Sequence, residues 1–283
     1  WVDGYRLINR ANLVIEGVTT AAEAGIITQA VADDYIGQAK FLRAITHFEL
    51  LNFFARPYNF SAGASHPGVP YREVGIDTQA EIDSEIVLGR NTVAEVYEKV
   101  LQDLDDAESL ITNTSLTKAS VNAAIAFKTR VYLHMRDWDG VIAEGNKLIG
   151  EYALEDSPNG PFLDSYGNSE SIFSLTQAAT MNPGVNAALA SQYNRRRLVA
   201  ISPIIWRDPS WLADDLRRED NSTETEVGTG MVFTAGGAKF TLKYKDGVNY
   251  TDASPVIRYA EVLLNMAEAQ ARKATPDLGA SLA

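Results

Sequence analysis

The segment Gln38–Leu51, which reads QAKFLRAITHFELL, repeats its apolar residues at helical spacing on two different sides. One stripe, with spacings of three and four, consists of Phe41, Ala44, Ile45, Phe48, Leu51 and Ala55. A second stripe consists of Leu42, Leu50, Phe53 and Phe54. Because a helix that is apolar on two sides packs between neighbours rather than on a surface, this segment predicts a layered array of helices.

Helices are also predicted on both sides of this segment. Residues 3–18 carry apolar residues at helical spacing, and Thr92 and Glu95 form a T-x-x-E capping box at the start of a strongly amphipathic segment. Two further helices are predicted, one over about 119–136 and one that carries Val141, Ile142, Leu148 and Ile149, and a very short link at Asp137 and Trp138 leads from the first into the second. Helices joined by so short a turn form an αα-hairpin, and stacked hairpins form TPR-like solenoids.

The expected fold class is therefore all-α, with TPR-like stacked helical hairpins, long irregular loops and a few short strands. We expect a single domain over residues 1–283, with a helical scaffold at 1–55, 92–150 and 254–273. The last scaffold segment begins with Ser254 as a cap and Pro255 in the first turn. The loop-rich regions are 56–91 and 151–253, with β-like pieces at 171–176 and 239–244. Because the chain opens at Trp1 rather than Met and lacks a convincing final element, we expect the natural protein to extend at both ends.

The composition excludes several classes of protein. With 37 acidic and 25 basic residues the chain carries a net charge of −12, and such a field repels phosphate backbones, so nucleic acid is not an expected partner. The absence of cysteine excludes disulfides, thiol catalysis and cysteine-based zinc or iron–sulfur sites. The only histidines are His47, His66 and His134, which lack a metal-binding spacing. We therefore expect no metal, no cofactor and no catalytic triad.

The arginines of one loop-like stretch admit two interpretations. These arginines can pair with nearby carboxylates or bind an external anion. They are Arg195, Arg196, Arg197, Arg207, Arg217 and Arg218. The nearby carboxylates are Asp214, Asp215, Glu219 and Asp220. The sequence alone leaves both interpretations open.

Other charged residues are expected to have structural roles. Three pairs of adjacent carboxylates are expected to lie on solvated helix faces or at helix ends. These pairs are Asp33 with Asp34, Asp105 with Asp106, and Asp214 with Asp215. The segment Asp246–Asp252 lacks the alternating pattern of a calcium-binding loop, so a calcium site is not favoured. Arg43, Arg258 and Glu261 lie in apolar segments predicted to be helical, where a charge persists only when paired. Buried interhelical salt bridges are therefore expected for these three.

An ordered series of motifs resembles one family. It runs through Tyr5–Glu16 (YRLINRANLVIE), Gln38–Leu51, Gly68–Tyr71 (GVPY), Val96–Ala107 (VYEKVLQDLDDA), Ala123–Leu133 (AAIAFKTRVYL), Asp137-Trp138, Asn168–Phe173 (NSESIF), Asp215–Arg217 (DLR) and Pro255–Ala269 (PVIRYAEVLLNMAEA). Each motif alone is weak, but the order and spacings resemble those of the SusD/RagB family of starch-utilisation-type outer-membrane lipoproteins. The resemblance covers nearly the whole chain.

The resemblance implies a fold and a function. Members have a TPR-like helical scaffold with irregular loops and are surface lipoproteins anchored in the outer membrane through an N-terminal lipid. They bind glycans, or peptides in some branches, and pass them to a SusC-type TonB-dependent transporter without cleaving them. The implied ligand is thus a glycan, and the implied partner is the transporter. The family carries its ligand residues in variable loops without a fixed motif, so no binding position is carried over.

Aromatic residues in loops are the best candidates for ligand contacts. A sugar ring has an apolar CH face that stacks on a flat aromatic side chain, while planar polar groups bind its hydroxyls. One stretch supplies this mixture in Tyr193, Asn194, Arg195, Trp206, Arg207 and Trp211. The first long loop supplies a smaller set in Tyr58, Asn59 and Tyr71.

Three functions outside this leading one stay open. A peptide-binding member of the same family would respond to peptides rather than glycans. A TPR-type scaffold would bind a partner's segment in a groove between helices. An α-helical glycoside hydrolase would need two carboxylates facing one bond at roughly 5–10 Å. We expect binding without catalysis.

Overall fold

The computed structural model describes residues 1–163, 167–220 and 230–282. Its helices, in chain order, are α1 (Val2–Glu23), α2 (Gln29–Phe54), α3 (Gln79–Glu85), α4 (Val93–Leu110), α5 (Val121–Met135), α6 (Trp138–Asn146), α7 (Gly160–Leu163), α8 (Gly184–Ala187), α9 (Pro203–Trp206), α10 (Tyr259–Arg272) and α11 (Leu278–Leu282). Its strands are β1 (Ser171–Leu175), β2 (Val232–Ala235), β3 (Ala238–Thr241) and β4 (Ser254–Arg258). The chain divides into two compact units, one formed by Trp1–Glu151 with Tyr259–Ala283 and the other by Tyr152–Arg258.

The first unit is helical, and its helices pack in sequence order. Helix α2 packs against α1 and α4, α4 packs against α5, and α5 packs against α6. Helix α10 returns to pack on α5 and α6. The predicted all-helical scaffold is thus confirmed for this unit. In the described residues no helix is both long enough and apolar enough to span a bilayer.

Helix α2 is buried on two sides, as its sequence predicts, but the second side differs from the prediction. Phe41 and Phe48 of the first stripe are fully buried and meet Phe127 of α5 edge-on. In the second stripe Phe53 is 78% exposed and Phe54 is exposed as well. The second buried side is instead partly polar, because Arg43 and His47 point inward there. Gly37 lets the end of α4 approach, since a Cβ at this position would lie 2.8 Å from a side-chain carbon of Ile111.

The predicted capping box begins α4. The Thr92 hydroxyl accepts the Glu95 N–H at 3.2 Å, and the Glu95 carboxylate accepts the Thr92 N–H at 2.8 Å. A second box, formed by Thr78 and Glu81, begins α3. The region 56–91 was predicted to be loop-rich, and α3 is a short helix within it that the sequence did not predict. The seven residues of α3 are too few for an apolar period, and none of them is buried.

Removing the cap of α4 tests its contribution to stability. Thr92→Ala should lower the free energy of unfolding by about 1 kcal/mol, because two backbone N–H groups lose their acceptors. Chemical denaturation followed by circular dichroism measures the loss. Thr78→Ala is the matched control, because α3 buries no residue and can fray without opening the core. Equal losses in the two variants would contradict this role for α4.

In its described residues the second unit contains two small antiparallel sheets. Strands β2 and β3 form a hairpin through Gly236 and Gly237, whose φ values of 56° and 80° suit the tight turns that join twisted strands. Phe233, Phe240 and Leu242 form its core. The β-like pieces predicted at 171–176 and 239–244 correspond to β1 and, in part, to β3. The predicted few short strands are confirmed.

The prediction of a helix that begins at Ser254 is wrong over the first turn. Residues Ser254–Arg258 form β4, which pairs with β1, and the helix begins at Tyr259. Pro255 lies opposite Ser174, and Ile257 lies opposite Phe173. A proline at the start of an edge strand is tolerated, and Val256 and Ile257 favour a strand through their branched side chains. The helical scaffold therefore ends with 259–272 rather than 254–273.

The three charges expected in salt bridges are all paired. Arg43 on α2 binds Asp103 on α4 through two bonds of 2.7 Å, and both side chains are 5% exposed. Glu261 on α10 binds Arg130 on α5 through bonds of 2.6 and 2.8 Å. Arg258 pairs with buried Glu170, but it lies in β4, so that bridge is not interhelical as predicted.

Candidate ligand-binding cavity

The second unit contains a cavity of about 430 Å³ that is open to solvent. Three aromatic rings line it, from Tyr193, Trp211 and Tyr244. Two cationic side chains, those of Arg217 and Lys243, reach it as well. The rest of the lining that the described residues supply comes from Ile201, Met231, Val232 and Thr241. The cavity thus combines flat apolar faces with hydrogen-bond donors.

Two tyrosines from distant segments form one wall. Tyr193 lies in a short π-helical turn, Ser191–Arg195, and Tyr244 follows β3, with their ring centroids 6.1 Å apart and their planes tilted by 31°. The buried Asn194 amide donates to the carbonyl of Tyr244 at 3.4 Å, which joins the two segments. Phe162 meets Tyr244 edge-on at 5.8 Å. Burial, and then the adjacent Tyr193, raises the pKa of Tyr244, so its hydroxyl stays a neutral donor at physiological pH.

Trp211 is held by hydrogen bonds and by a cation. Its indole N–H donates to Asp215 at 3.0 Å, and its ring meets that of Trp206 at 5.6 Å and 77°. The Arg218 guanidinium lies 4.6 Å from the Trp206 ring and 5.2 Å from the Trp211 ring. Arg218 also donates to the carbonyls of both tryptophans. These contacts hold the loop 206–211 together and fix the position of the Trp211 ring at the cavity.

The two cations of the cavity differ in their partners. Arg217 binds Asp215 through its side chain, with an Nε to Oδ1 distance of 2.9 Å, and through its backbone N–H at 2.8 Å. Arg217 holds the pKa of Asp215 well below its usual range. Lys243 instead lies over the Phe162 ring, with its Nζ 5.1 Å from the centroid. Burial, and then Arg258 and Arg217, lowers the pKa of Lys243.

The structure distributes the predicted ligand residues unevenly. Tyr193 and Trp211 line the cavity, whereas Asn194 and Trp206 support its walls. Arg195 donates to the carbonyl of Gly247 at 2.8 Å and to the hydroxyl of Tyr250 at 2.5 Å. Arg207 is exposed, and its place in the site stays a prediction.

The smaller set in the first loop does not form one site. Tyr58 lines a second cavity, of about 320 Å³, in the first unit, and Asn59 is exposed. Tyr71 is a core residue that is only 7% exposed. Its hydroxyl donates to Asp103 at 2.6 Å, and its ring stacks on that of His47 at 3.8 Å. Tyr71 is therefore left out of the candidate site.

Pairing with a nearby carboxylate is confirmed for Arg217, whereas three other arginines of the basic stretch donate to local groups that are not carboxylates. Arg217 pairs with Asp215, and Arg195 and Arg218 donate to nearby carbonyls. Arg196 donates to Asn186 at 3.0 Å.

Two predictions about acidic side chains can be compared with the structure. Asp105, expected on a solvated helix face, is exposed on α4 and Asp106 is partly exposed there, and the two also pair with Lys128 and Lys40. The Asp246 carboxylate accepts N–H groups from its own loop, at 3.1 Å from Val248 and 2.7 Å from Asn249. Within the described residues no group of His, Cys, Asp or Glu side chains is arranged to hold a metal ion.

The comparisons with known proteins agree with the motif series. Residues 1–133 match the SusD-like family described as starch-binding and associating with the outer membrane, and residues 210–281 match the SusD family. The chain belongs to the SusD/RagB family. No curated protein matches the sequence.

Solved structures of this family share the fold. A SusD superfamily protein from Bacteroides fragilis is 29% identical with a TM-score of 0.81, and the match covers 99% of this chain and 62% of that one. A SusD-like carbohydrate binding protein from Bacteroides vulgatus is 22% identical with a TM-score of 0.76, covering 100% and 59%. A laminarin binding SusD-like protein is 17% identical with a TM-score of 0.65, covering 100% and 68%. The chain thus spans about three fifths of the length of the first two.

Sequence reasoning missed Lys243 and Tyr244 as cavity residues of this SusD/RagB chain. The structure brings them beside Tyr193, although they lie 50 and 51 positions after it in the sequence. A signal was present in the run Lys243-Tyr244-Lys245, which places an aromatic ring between two cations directly after a strand.

Proposed function

We propose that this SusD/RagB protein binds an oligosaccharide in the cavity of its second unit and does not cleave it. One observation carries the proposal, namely three aromatic rings that face a cavity of about 430 Å³ together with charged and hydroxyl donors. The CH face of a sugar stacks on such rings, while side-chain donors bind its hydroxyls. Affinity should be modest, because an open cavity desolvates its ligand only in part.

The family and two solved relatives support a glycan as the ligand. The matching family is described as starch-binding. One relative is described as carbohydrate binding and another as laminarin binding. The described lining of the cavity carries no carboxylate, whereas glycoside hydrolysis needs two facing carboxylates at roughly 5–10 Å. These observations favour binding over catalysis.

The wider role that we propose is that of the family. The protein would be a lipoprotein of the outer membrane, exposed at the cell surface, that delivers its glycan to a SusC-type TonB-dependent transporter. The helices of the first unit would form the TPR-like stack, since α1, α2, α4, α5 and α6 pack against one another in that order. Co-purification of a SusC-type transporter with this protein from the native outer membrane would test this role.

Isothermal titration calorimetry with a panel of glycans and peptides tests the ligand class. We expect heat of binding from at least one glycan and no release of shorter products after incubation. Binding of peptides with silence toward every glycan would contradict the proposal and favour the peptide-binding branch. Hydrolysis of any glycan would also contradict it.

Trp211 should contribute strongly to glycan affinity. Trp211→Ala should weaken binding roughly tenfold, on the order of 1.4 kcal/mol, because the cavity loses one of its stacking faces. Calorimetry with the best glycan of the panel measures the change. Trp138→Ala is the matched control, because Trp138 begins α6 in the first unit and lies outside the cavity. An unchanged affinity in the Trp211 variant would remove this wall from the site.

A further inference from the structure

Lys243 differs from the other cations around the cavity. Arg217 is bound by Asp215, and Arg258 is bound by Glu170. Lys243 has no carboxylate within salt-bridge distance among the residues that the structure describes, and its contact is with the Phe162 ring. Its positive charge is therefore not neutralised by a counter-ion of the described chain.

The surroundings of Lys243 make an external anion favourable. The guanidinium of Arg258 lies over the same Phe162 ring, 5.2 Å from its centroid, so two cations contact one aromatic ring. Both Arg258 and Arg217 repel the ammonium group, and its partial burial removes water that would otherwise solvate it. An anion that enters the cavity would relieve both effects at once.

The same cavity offers what a sugar ring needs. Tyr193, Tyr244 and Trp211 supply aromatic faces, and Thr241 supplies a hydroxyl. The arrangement therefore joins a surface for the apolar side of a sugar with a cation that has no counter-ion among the described residues.

We propose that the cavity selects sugars that carry an anionic group, a carboxylate or a sulfate ester, and that Lys243 is the residue that pairs with it. This inference rests on the proposed function, because it names the class of glycan bound at the same site. The charge of the group, rather than its identity, is the feature recognised, since an ammonium group acts as a point charge on either anion.

The test compares three tetrasaccharides by calorimetry. Tetragalacturonate carries carboxylates alone, a carrageenan tetrasaccharide carries sulfates alone, and cellotetraose is neutral. We expect at least one charged sugar to bind roughly tenfold more tightly than cellotetraose. Raising the salt from about 0.05 M to about 0.5 M should weaken the charged sugars and leave the neutral one unchanged.

Variants of Lys243 assign the effect to this side chain. Lys243→Gln should weaken the charged sugars roughly tenfold and weaken cellotetraose far less, because only the charged sugars lose an ion pair, and Lys243→Arg should retain most of the affinity. Lys118→Gln is the matched control, because Lys118 is exposed in a loop of the first unit. Thermal melting confirms that each variant is folded.

The outcomes separate this inference from the function on which it rests. If cellotetraose binds as tightly as the charged sugars, or if Lys243→Gln weakens all three equally, the inference is overturned and glycan binding stands. If no glycan of the wider panel binds to the unaltered protein, the proposed function fails and the selectivity fails with it.

Discussion

Replacing Asp103 with Asn should lower the free energy of unfolding by about 3–5 kcal/mol, since it leaves the Arg43 guanidinium buried without its counter-charge. Arg43 donates two bonds of 2.7 Å to Asp103 and one of 2.9 Å to Asn12. The hydroxyl of Tyr71 donates to the same carboxylate at 2.6 Å. Burial, and then the charge and hydrogen bond of Asp103, raises the pKa of Tyr71. Asp103 therefore accepts bonds from α2 and from the segment that follows it.

A carboxylate on the same helix provides the control. Asp106 also lies on α4 and also pairs with a cation of α2, Lys40, but both side chains are partly exposed, at 29% and 22%. Asp106→Asn should therefore lower the free energy of unfolding by only about 0–1 kcal/mol. Urea denaturation followed by circular dichroism measures both losses.

A double variant separates the charge from the packing. Arg43→Met combined with Asp103→Leu removes both charges while keeping apolar volume, so it should be more stable than Asp103→Asn alone. Equal losses in the Asp103 and Asp106 variants would mean that burial does not set the strength of the Arg43 bridge.

The sequence predicted those parts of the fold that depend on local patterns. The first apolar stripe of α2 and the capping box of α4 are each complete within a few turns, and both were confirmed. It also predicted that Arg43 is paired, because a buried charge requires a partner. It did not identify Asp103, which is 60 positions away, since helix spacing does not fix which helices become neighbours.

The errors arose where distant contacts override local signals. Ser254 and Pro255 resemble the start of a helix, yet pairing with β1 makes this segment a strand. A strand partner some 80 positions away is invisible to any local period. The candidate site shows the same limit, because Tyr193 and Trp211 were predicted from composition while Lys243 joins them only through the fold.

Acid should destabilise the first unit through His47, which is completely buried. Its Nδ1 lies 3.0 Å from the carbonyl of Arg43, and its Nε2 accepts the N–H of Arg72 at 3.1 Å. Both ring nitrogens are thus satisfied in one neutral tautomer, with the proton on Nδ1. A second proton on Nε2 would face the N–H of Arg72. Burial, and then the charges of Arg43 and Arg72, accordingly lowers the pKa of His47 to about 3.

The direction of the pH effect follows from this lowered pKa. The unfolded chain takes up the proton near pH 6.5 and the folded chain only near pH 3, so protons favour unfolding between these values. The stabilising contribution is complete above about pH 6.5 and should fall by about 1.4 kcal/mol for each pH unit below it. His47→Gln provides the comparison, because an uncharged amide has no proton to gain, while other titrating groups cancel in the difference. Urea denaturation of both proteins from about pH 7 to about pH 4 should therefore show that the unaltered protein loses stability faster than the variant as the pH falls. Parallel curves of unfolding free energy against pH would instead mean that His47 is protonated in the folded state.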